Sequence, residues 1–263
     1  MEPTHFDVVA DIDLHHWWFV ARRSIMRDVL ACVVPPGQDS LVVDVGCGPG
    51  ANIASLAGDY DCVGIDTSDD AIRLARDRFD DVKFIHGTAP EDLGEHAARA
   101  DAYLLMDVLE HVPDDAAVLG AIVPVIKPGG VLLLTVPADM RLWSPHDESL
   151  GHYRRYDPTS LRKAWEGLPV TEVMMSHFNT RLYPAVRAAR MFGKLSGRSW
   201  GKANTDMRRP GRLGNRVLQR LFAGESRRLV DLARQRRTTG YDYGVSLMTV
   251  LRKEPVSGDG RTA

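Results

Sequence analysis

The chain has 263 residues, of which 44% are hydrophobic, so it is long enough to bury the core of one large domain or of a domain with an insertion. It contains no run of 18 apolar residues, and it begins with Glu2 and Asp7 instead of a basic stretch followed by an apolar one. The sequence therefore predicts neither a membrane span nor a signal peptide.

The formal net charge of −2 hides an asymmetry, because residues 1–176 carry about −15 and residues 177–263 about +13. A surface polarised in this way could steer anions, and it could equally be a basic helical segment in solvent. The three cysteines, Cys32, Cys47 and Cys62, are an odd number without metal-ligand spacing. They favour small core residues in a reducing compartment, so we expect a cytoplasmic protein without a bound metal.

The first predicted element is a helix from His15 to Val34, which ends at two prolines. Its apolar residues share one face at helical spacing: Trp18, Phe19, Ile25, Met26, Val29, Leu30 and Val33. Arg22 interrupts this face, so it needs an anionic partner or must extend its guanidinium to water. Trp17 lies off the face, so the aromatic residues cover more than one side, as a helix that acts as a lid would require.

The second element is a buried strand that begins at Leu41 and ends at Val45, followed by glycines at Gly46, Gly48 and Gly50. A ligand can approach such a turn at backbone distance, with a helix N-terminus directly behind it. Both a dinucleotide and S-adenosylmethionine (SAM) fit a turn of this kind, since Gly46, Gly48 and Ala51 satisfy a permissive dinucleotide fingerprint.

Two acidic residues narrow the choice of ligand. Asp44 lies two residues before the first glycine, where it disfavours a pyrophosphate by a few kcal/mol and favours a cationic sulfonium or ammonium. Asp66 ends the next strand, about 20 residues after the first glycine, as an acid that binds a ribose should.

Further strands alternate with helices along the chain, which predicts a parallel sheet covered on both faces. The predicted strands are 61–65, 82–85, 102–106, 131–136, 170–177 and 245–251. Helices are predicted at 71–79, 113–126, 158–165, 182–195 and 213–236, with a loop at 193–212 and a disordered tail at 255–263. Because ligands bind at the carboxyl ends of parallel strands, Asp66, Asp107 and the glycine turn should lie together.

Four segments in this order resemble the successive motifs of the class I SAM-dependent methyltransferases: VDVGCGPG, GIDTSDDAI, LLMDVLEHVPDD and IKPGGVLLLTVP. The segment HYRRYDPTSL resembles small-molecule members of that family. The opening HWWFVARR and the ending GVSLMTVLRK resemble a subgroup that adds an N-terminal helix and a C-terminal helical insertion.

The resemblance implies an α/β fold: a Rossmann-like, seven-stranded, mostly parallel sheet with helices on both faces. It divides the chain into an N-terminal helical lid (1–36), a SAM-binding core (37–177), a basic helical insertion (178–244), a last core strand (245–254) and a tail (255–263).

The resemblance also implies roles for individual residues. Asp66 would accept both ribose hydroxyls, since one carboxylate offers two oxygens to two vicinal donors. The methionine part of SAM would meet Asp44, Gly46, Cys47, Gly48, Asp107 and Val108. Adenosine would contact Thr67, Thr88 and Ala89. Thr88 stands where the family often has an acid that faces the adenine amine.

Methyl transfer from a sulfonium needs in-line alignment, exclusion of water and, for a hydroxyl acceptor, a base. His111 and His152 are the candidate catalytic bases, and the alternative for each is a structural hydrogen bond. Arg22 could meet the SAM carboxylate if the aromatic helix closes over the cofactor. Residues predicted to contact the acceptor are Trp17, Trp18, Arg155 and Tyr156, with Arg155 suited to an anionic group.

We therefore expect a methyltransferase that acts on a small molecule, at a hydroxyl oxygen of a sugar, polyketide or other secondary metabolite. A nucleic-acid methyltransferase that uses the basic C-terminal part, a SAM-binding protein without activity, and a dehydrogenase remain as alternatives. The basic insertion could cover the acceptor, form a homodimer or touch a membrane surface.

Overall fold

The structure is a computed structural model that describes residues 3–196 and 210–255. In this part of the chain one seven-stranded sheet has the order β3-β2-β1-β4-β5-β7-β6. The strands are β1 (Gly37–Val45), β2 (Tyr60–Asp66), β3 (Lys83–His86), β4 (Ala102–Met106), β5 (Val131–Pro137), β6 (Val170–Phe178) and β7 (Ser246–Lys253). Only β7 runs antiparallel to its neighbours β5 and β6, so the predicted Rossmann-like, mostly parallel sheet is confirmed.

The helices cover both faces of the sheet. A central strand such as β5 is therefore buried along its whole length. They are α1 (Pro3–Ile12), α2 (Trp17–Val33), α3 (Ala51–Ala54), α4 (Asp69–Arg78), α5 (Glu95–Arg99), α6 (Asp115–Val125), α7 (Pro145–Ser149), α8 (Pro158–Lys163), α9 (Tyr183–Ser196), α10 (Arg212–Ala223) and α11 (Ser226–Ala233). One core lies under α2, α4 and α11, and the other lies under α5, α6 and α8.

Two predicted elements differ in the structure, and several short helices were not predicted, α1 among them. The helix predicted at 213–236 is broken at Gly224, because the buried Glu225 carboxylate accepts hydrogen bonds from the backbone amides of Thr180 (3.1 Å) and Arg181 (2.8 Å). The loop predicted at 193–212 is helical at both of its described ends, and its residues 197–209 lie outside the described part, as do residues 256–263 of the predicted tail.

The N-terminal helices pack against the insertion between β6 and β7. Asn215 of α10 accepts a hydrogen bond from the Trp17 amide (2.9 Å) and donates one to the His15 carbonyl (2.9 Å). The two added segments therefore meet over the carboxyl ends of the strands. Within the described residues we find no helix with both the length and the apolar character needed to cross a bilayer.

Candidate active site

A cavity of about 890 Å³ lies at the carboxyl ends of β1, β2 and β4, under α1, α2, α9 and α10. It collects most of the residues predicted to form the site: Trp17, Trp18, Arg22, Gly46, Cys47, Gly48, Asp66, Thr67, Thr88, Ala89, Asp107, Val108, His111, His152 and Arg155. Asp44 and Tyr156 are not among the residues that line it. The segments before, within and after the sheet thus contribute to one site.

The glycine turn after β1 has the shape needed for a ligand at backbone distance. Gly46, Gly48 and Gly50 all have positive φ angles, of 69°, 54° and 85°. A Cβ at Gly50 would lie 2.7 Å from the Phe84 ring, whereas a Cβ at Gly48 would meet nothing within 4 Å. Gly50 is therefore required by packing, and Gly48 leaves open space on the cavity side.

Asp66 is oriented by the backbone of this turn. Its two carboxylate oxygens accept hydrogen bonds from the amides of Gly48 and Ser68, each at 2.9 Å. Each oxygen keeps a further lone pair, so the carboxylate can still accept two hydroxyl donors from a ribose. This arrangement fits the adenosine part of SAM.

Asp44 is fully buried at the end of β1, behind the cavity wall, and within the described residues neither of its oxygens has a hydrogen-bond partner. Burial raises the pKa of this carboxyl to about 8, while the nearby Arg22 guanidinium opposes the rise and Asp66 adds to it. The group is therefore mostly protonated at neutral pH and does not reach the cavity surface.

Arg22 and Asp107 face each other in the cavity. The Arg22 guanidinium, which is 4% exposed, forms an ion pair with Asp107, reaches the Asn52 amide oxygen at 3.4 Å and lies 4.5 Å above the Trp18 ring. Asp107 has a positive φ of 60°, and its other oxygen accepts a hydrogen bond from the Thr135 hydroxyl (3.1 Å). The pair offers one cation and one anion, which suits the carboxylate and ammonium groups of an amino acid.

The two candidate bases lie together with a residue that the sequence analysis did not select. The rings of His111 and His152 are edge to face with centroids 4.7 Å apart, and Glu110 places an oxygen within 4.8 Å of a nitrogen of each. Such a set of donors could also hold a metal ion. In the sequence Glu110 resembles a helix-capping or surface acid, so only the fold reveals this grouping.

Burial sets the protonation of the cluster. It lowers the pKa of His111 to about 4, with a further contribution from His152. It also raises the pKa of the fully buried Glu110 well above the ordinary value, and the Asp107 carboxylate adds to this effect. Neither Glu110 oxygen has a hydrogen-bond partner in the described part of the chain. Burial therefore favours the neutral forms of the Glu110 carboxyl and the His111 imidazole.

The polar groups of Arg155 and Tyr156 both form hydrogen bonds with other groups of the protein. The Arg155 guanidinium donates to the Asp147 carboxylate (2.7 Å) and to the Ala138 carbonyl (3.0 Å). The buried Tyr156 hydroxyl contacts the Leu109 carbonyl (3.1 Å) and the Asp115 carboxylate (2.7 Å). Arg155 therefore reaches the cavity wall with its charge already neutralised, and Tyr156 supports the wall from behind.

The part of the cavity under the added helices is apolar. Its lining includes Phe6 and Val9 of α1, Leu182 directly before α9, Val186 of α9, and Leu218 of α10. These five residues were not selected from sequence, because nothing in their local pattern distinguishes a cavity wall from a core. They give the cavity that also contains His111 and His152 an apolar compartment.

Residues 17–168 match a family described as a methyltransferase domain. A ubiquinone biosynthesis O-methyltransferase of Aromatoleum aromaticum is 36% identical over 94 residues, which cover 34% of this chain and 40% of that protein. A protein of the same name from Salmonella arizonae is 33% identical over 108 residues, or 39% and 45% of the two chains. The chain thus spans less than half the length of these curated relatives.

Similar folds occur among solved structures. The plantazolicin methyltransferase BpumL, solved with S-adenosylhomocysteine (SAH) and a monoazolic desmethylPZN analog, has a TM-score of 0.56 and 12% identity, with 96% of this chain and 90% of that chain covered. The [4+2]-cyclase SpnF has a TM-score of 0.54 and 19% identity, with 89% and 80% covered. At these identities the likeness shows the fold alone.

Proposed function

The chain belongs to the class I SAM-dependent methyltransferases, and from this membership we propose that it methylates a hydroxyl oxygen of a small molecule with a large apolar part. SAM is the methyl donor of this family: its electrophilic methyl group bonds to the acceptor oxygen as the carbon–sulfur bond breaks and SAH is left. The observation that carries the proposal is one cavity that joins the glycine turn to the histidine pair and to an apolar compartment.

Different residues of the cavity bind different parts of SAM and of the acceptor. Asp66 holds the adenosine end, Gly46 and Gly48 lie against the methionine part, and Arg22 and Asp107 receive the two charged groups of that part. His111 and His152 face the region beyond, where a neutral imidazole can accept the proton of a hydroxyl.

The apolar compartment indicates the class of acceptor. Its walls offer contacts to rings or alkyl chains, and Arg155 and Arg190, which also line the cavity, both pair with Asp147. Arg155 and Arg190 share the one Asp147 carboxylate, so the apolar walls and not these two arginines are taken to select the acceptor, and a mainly apolar acceptor fits those walls better than a sugar does. This narrows the range expected from the sequence to hydroxylated aromatic, polyketide-like or prenylated compounds.

The test is methylation of an acceptor panel with SAM that carries a labelled methyl group, analysed by mass spectrometry. The panel contains apolar phenols, aliphatic polyketide alcohols, sugar nucleotides and transfer RNA. We expect a labelled methyl ether from the apolar hydroxylated compounds only. SAH binding without any product would favour a non-catalytic SAM-binding protein, and product from RNA alone would favour a nucleic-acid methyltransferase.

A pair of variants on one helix tests the compartment itself. Leu218 lines the cavity, whereas its neighbour Val217 is 48% exposed on the outside of α10. Leu218→Trp should raise the KM of the acceptor at least tenfold and leave SAH affinity unchanged, because it fills the compartment and not the glycine turn. Val217→Trp should change neither quantity. An acceptor KM that is the same in both variants would contradict the assignment.

A further inference from the structure

Asp147, in α7, is a fully buried carboxylate at the back of the cavity wall. Its Oδ2 accepts hydrogen bonds from the amide and hydroxyl of Ser144 (2.9 and 3.2 Å), which fix the start of α7. Its Oδ1 accepts from His152 Nδ1 (3.2 Å) and from Arg155 Nε (2.7 Å). The side chain therefore connects one candidate base to the framework behind it.

The insertion adds a further contact to this carboxylate. Arg190 of α9 places Nη1 at 3.4 Å from Asp147 Oδ2 and donates from the same nitrogen to the Leu142 carbonyl (2.6 Å). Burial alone would raise the pKa of Asp147, but the hydrogen bond from His152 and the charges of Arg155 and Arg190 hold it below its ordinary value. The Ser144 amide and the guanidiniums of Arg155 and Arg190 all donate to or lie against this carboxylate, and this arrangement requires Asp147 to be ionised.

An ionised carboxylate can only accept hydrogen bonds, so His152 Nδ1 must carry the hydrogen in their contact. In the neutral imidazole the lone pair then lies on Nε2. We propose that Asp147 is the positioning residue for His152: it holds the ring in the tautomer in which Nε2 can accept the proton of the acceptor hydroxyl. This inference rests on the proposed function.

The contact between Asp147 and His152 also stabilises the charged form of the histidine. When Nε2 takes the hydroxyl proton, the ring becomes an imidazolium with both nitrogens protonated. Asp147 balances this charge, as an aspartate behind a catalytic histidine does in general. The groups that face His152 are Asp147 and His146 on α7, Glu110 and His111 on the short 3-10 turn Leu109–His111 after β4, and Arg155 on the loop of His152 itself, while Arg190 of α9 contacts Asp147. Of these, only Asp147 gives His152 both an anion and a hydrogen-bond acceptor.

The direct test is the tautomer of His152 in the unmodified full-length protein. Nitrogen-15 NMR of labelled histidine, assigned with His152→Gln and followed over pH, should show a protonated Nδ1 and an unprotonated Nε2 in the neutral form of the ring. A proton on Nε2 in that form would overturn the proposal. Because this measurement needs no acceptor, it succeeds or fails independently of the methyl-transfer activity.

The kinetic test compares Asp147→Asn with Glu148→Gln, a matched acid-to-amide change at the next, exposed position of α7. Asp147→Asn should lower kcat by about 100-fold, leave the acceptor KM and SAH affinity within twofold, and move the acid limb of the kcat–pH profile to lower pH, because the imidazolium loses its anion. Glu148→Gln should match the parent protein. An unchanged kcat–pH profile in folded Asp147→Asn would refute the positioning role of Asp147, and so would an equal loss of kcat in both variants. If Asp147→Asn does not fold, the NMR measurement of the His152 tautomer still decides.

Discussion

Replacing Arg22 by Met is expected to weaken the binding of SAM and SAH by about 10- to 100-fold. The guanidinium is buried, forms an ion pair with Asp107 and lies over the Trp18 ring, so its position is fixed before the ligand arrives. A hydrogen bond to a charged group contributes about 1.5–3 kcal/mol. Each 1.4 kcal/mol is tenfold in affinity, which gives the stated range. Met keeps the apolar stem, so the loss reports on the charge.

Isothermal titration with two ligands isolates the methionine end. SAH has the amino acid group that Arg22 and Asp107 would bind, and 5′-methylthioadenosine has the same adenosine without it. Arg22→Met should weaken SAH and leave methylthioadenosine within twofold of the parent protein. Arg27→Met is the matched control, because Arg27 lies on the same helix and forms a half-exposed ion pair with Asp59 (2.7 Å).

Two results would refute this reasoning. Unchanged SAH affinity would mean that the guanidinium does not contact the ligand. An equal loss for SAH and methylthioadenosine would mean that the variant deforms the whole cavity, a conclusion that the melting temperature of the variant would check.

Three more outcomes are expected from the same geometry. Asp66→Ala should weaken SAH and methylthioadenosine alike, by about 100-fold in titration, because both ligands keep the ribose hydroxyls; a loss for SAH alone would contradict this. For Asp44→Asn we compare the free energy of unfolding in urea with that of the parent protein at pH 5 and at pH 8. The difference should shift in favour of the variant by on the order of 3 kcal/mol from pH 5 to pH 8. The folded state holds the Asp44 proton up to about pH 8 and the unfolded state releases it near pH 4, so the parent protein loses stability as pH rises; an equal difference at both pH values would contradict this. Methyl transfer should survive EDTA, because burial disfavours the Glu110 carboxylate that a metal would need and because His111 and His152 serve as bases in the proposed reaction. Lost activity that Mn²⁺ or Zn²⁺ restores would instead make the cluster a metal site.

The cofactor end of the cavity was accessible from sequence because its chemistry is local. The strand, the glycine turn and the acid after the next strand follow one another within 30 residues, and each has its own pattern. Gly48 and Asp66 are joined by a direct hydrogen bond, which the parallel register of β1 and β2 makes possible. Asp44 shows the limit of prediction from sequence. The sequence places it directly before the glycine turn, but only the structure shows that it lies behind the cavity wall.

The acceptor end could not be predicted because its residues meet only after folding. Asp147 resembles an ordinary residue near a helix start, yet its partners come from α7, from the loop before α8 and from α9. The charge of Arg155 suggested an anionic acceptor, and that charge is neutralised by Asp147. The apolar compartment needs α1, α9 and α10 together, and α1 carries no signal that separates it from a surface helix.

The basic second half of the chain shows why net charge is weak evidence for a nucleic-acid acceptor. Arg181 donates to the carbonyls of two residues at the end of α10, at 3.1 Å each. Arg190, Arg228 and Arg252 also donate to backbone carbonyls, and each of these carbonyls belongs to a loop or a turn. A guanidinium used in this way stabilises chain segments that have no ladder partner, and it is not free to bind a phosphate. The acceptor must therefore be inferred from the walls of the cavity, which are apolar, and not from the charge of the insertion.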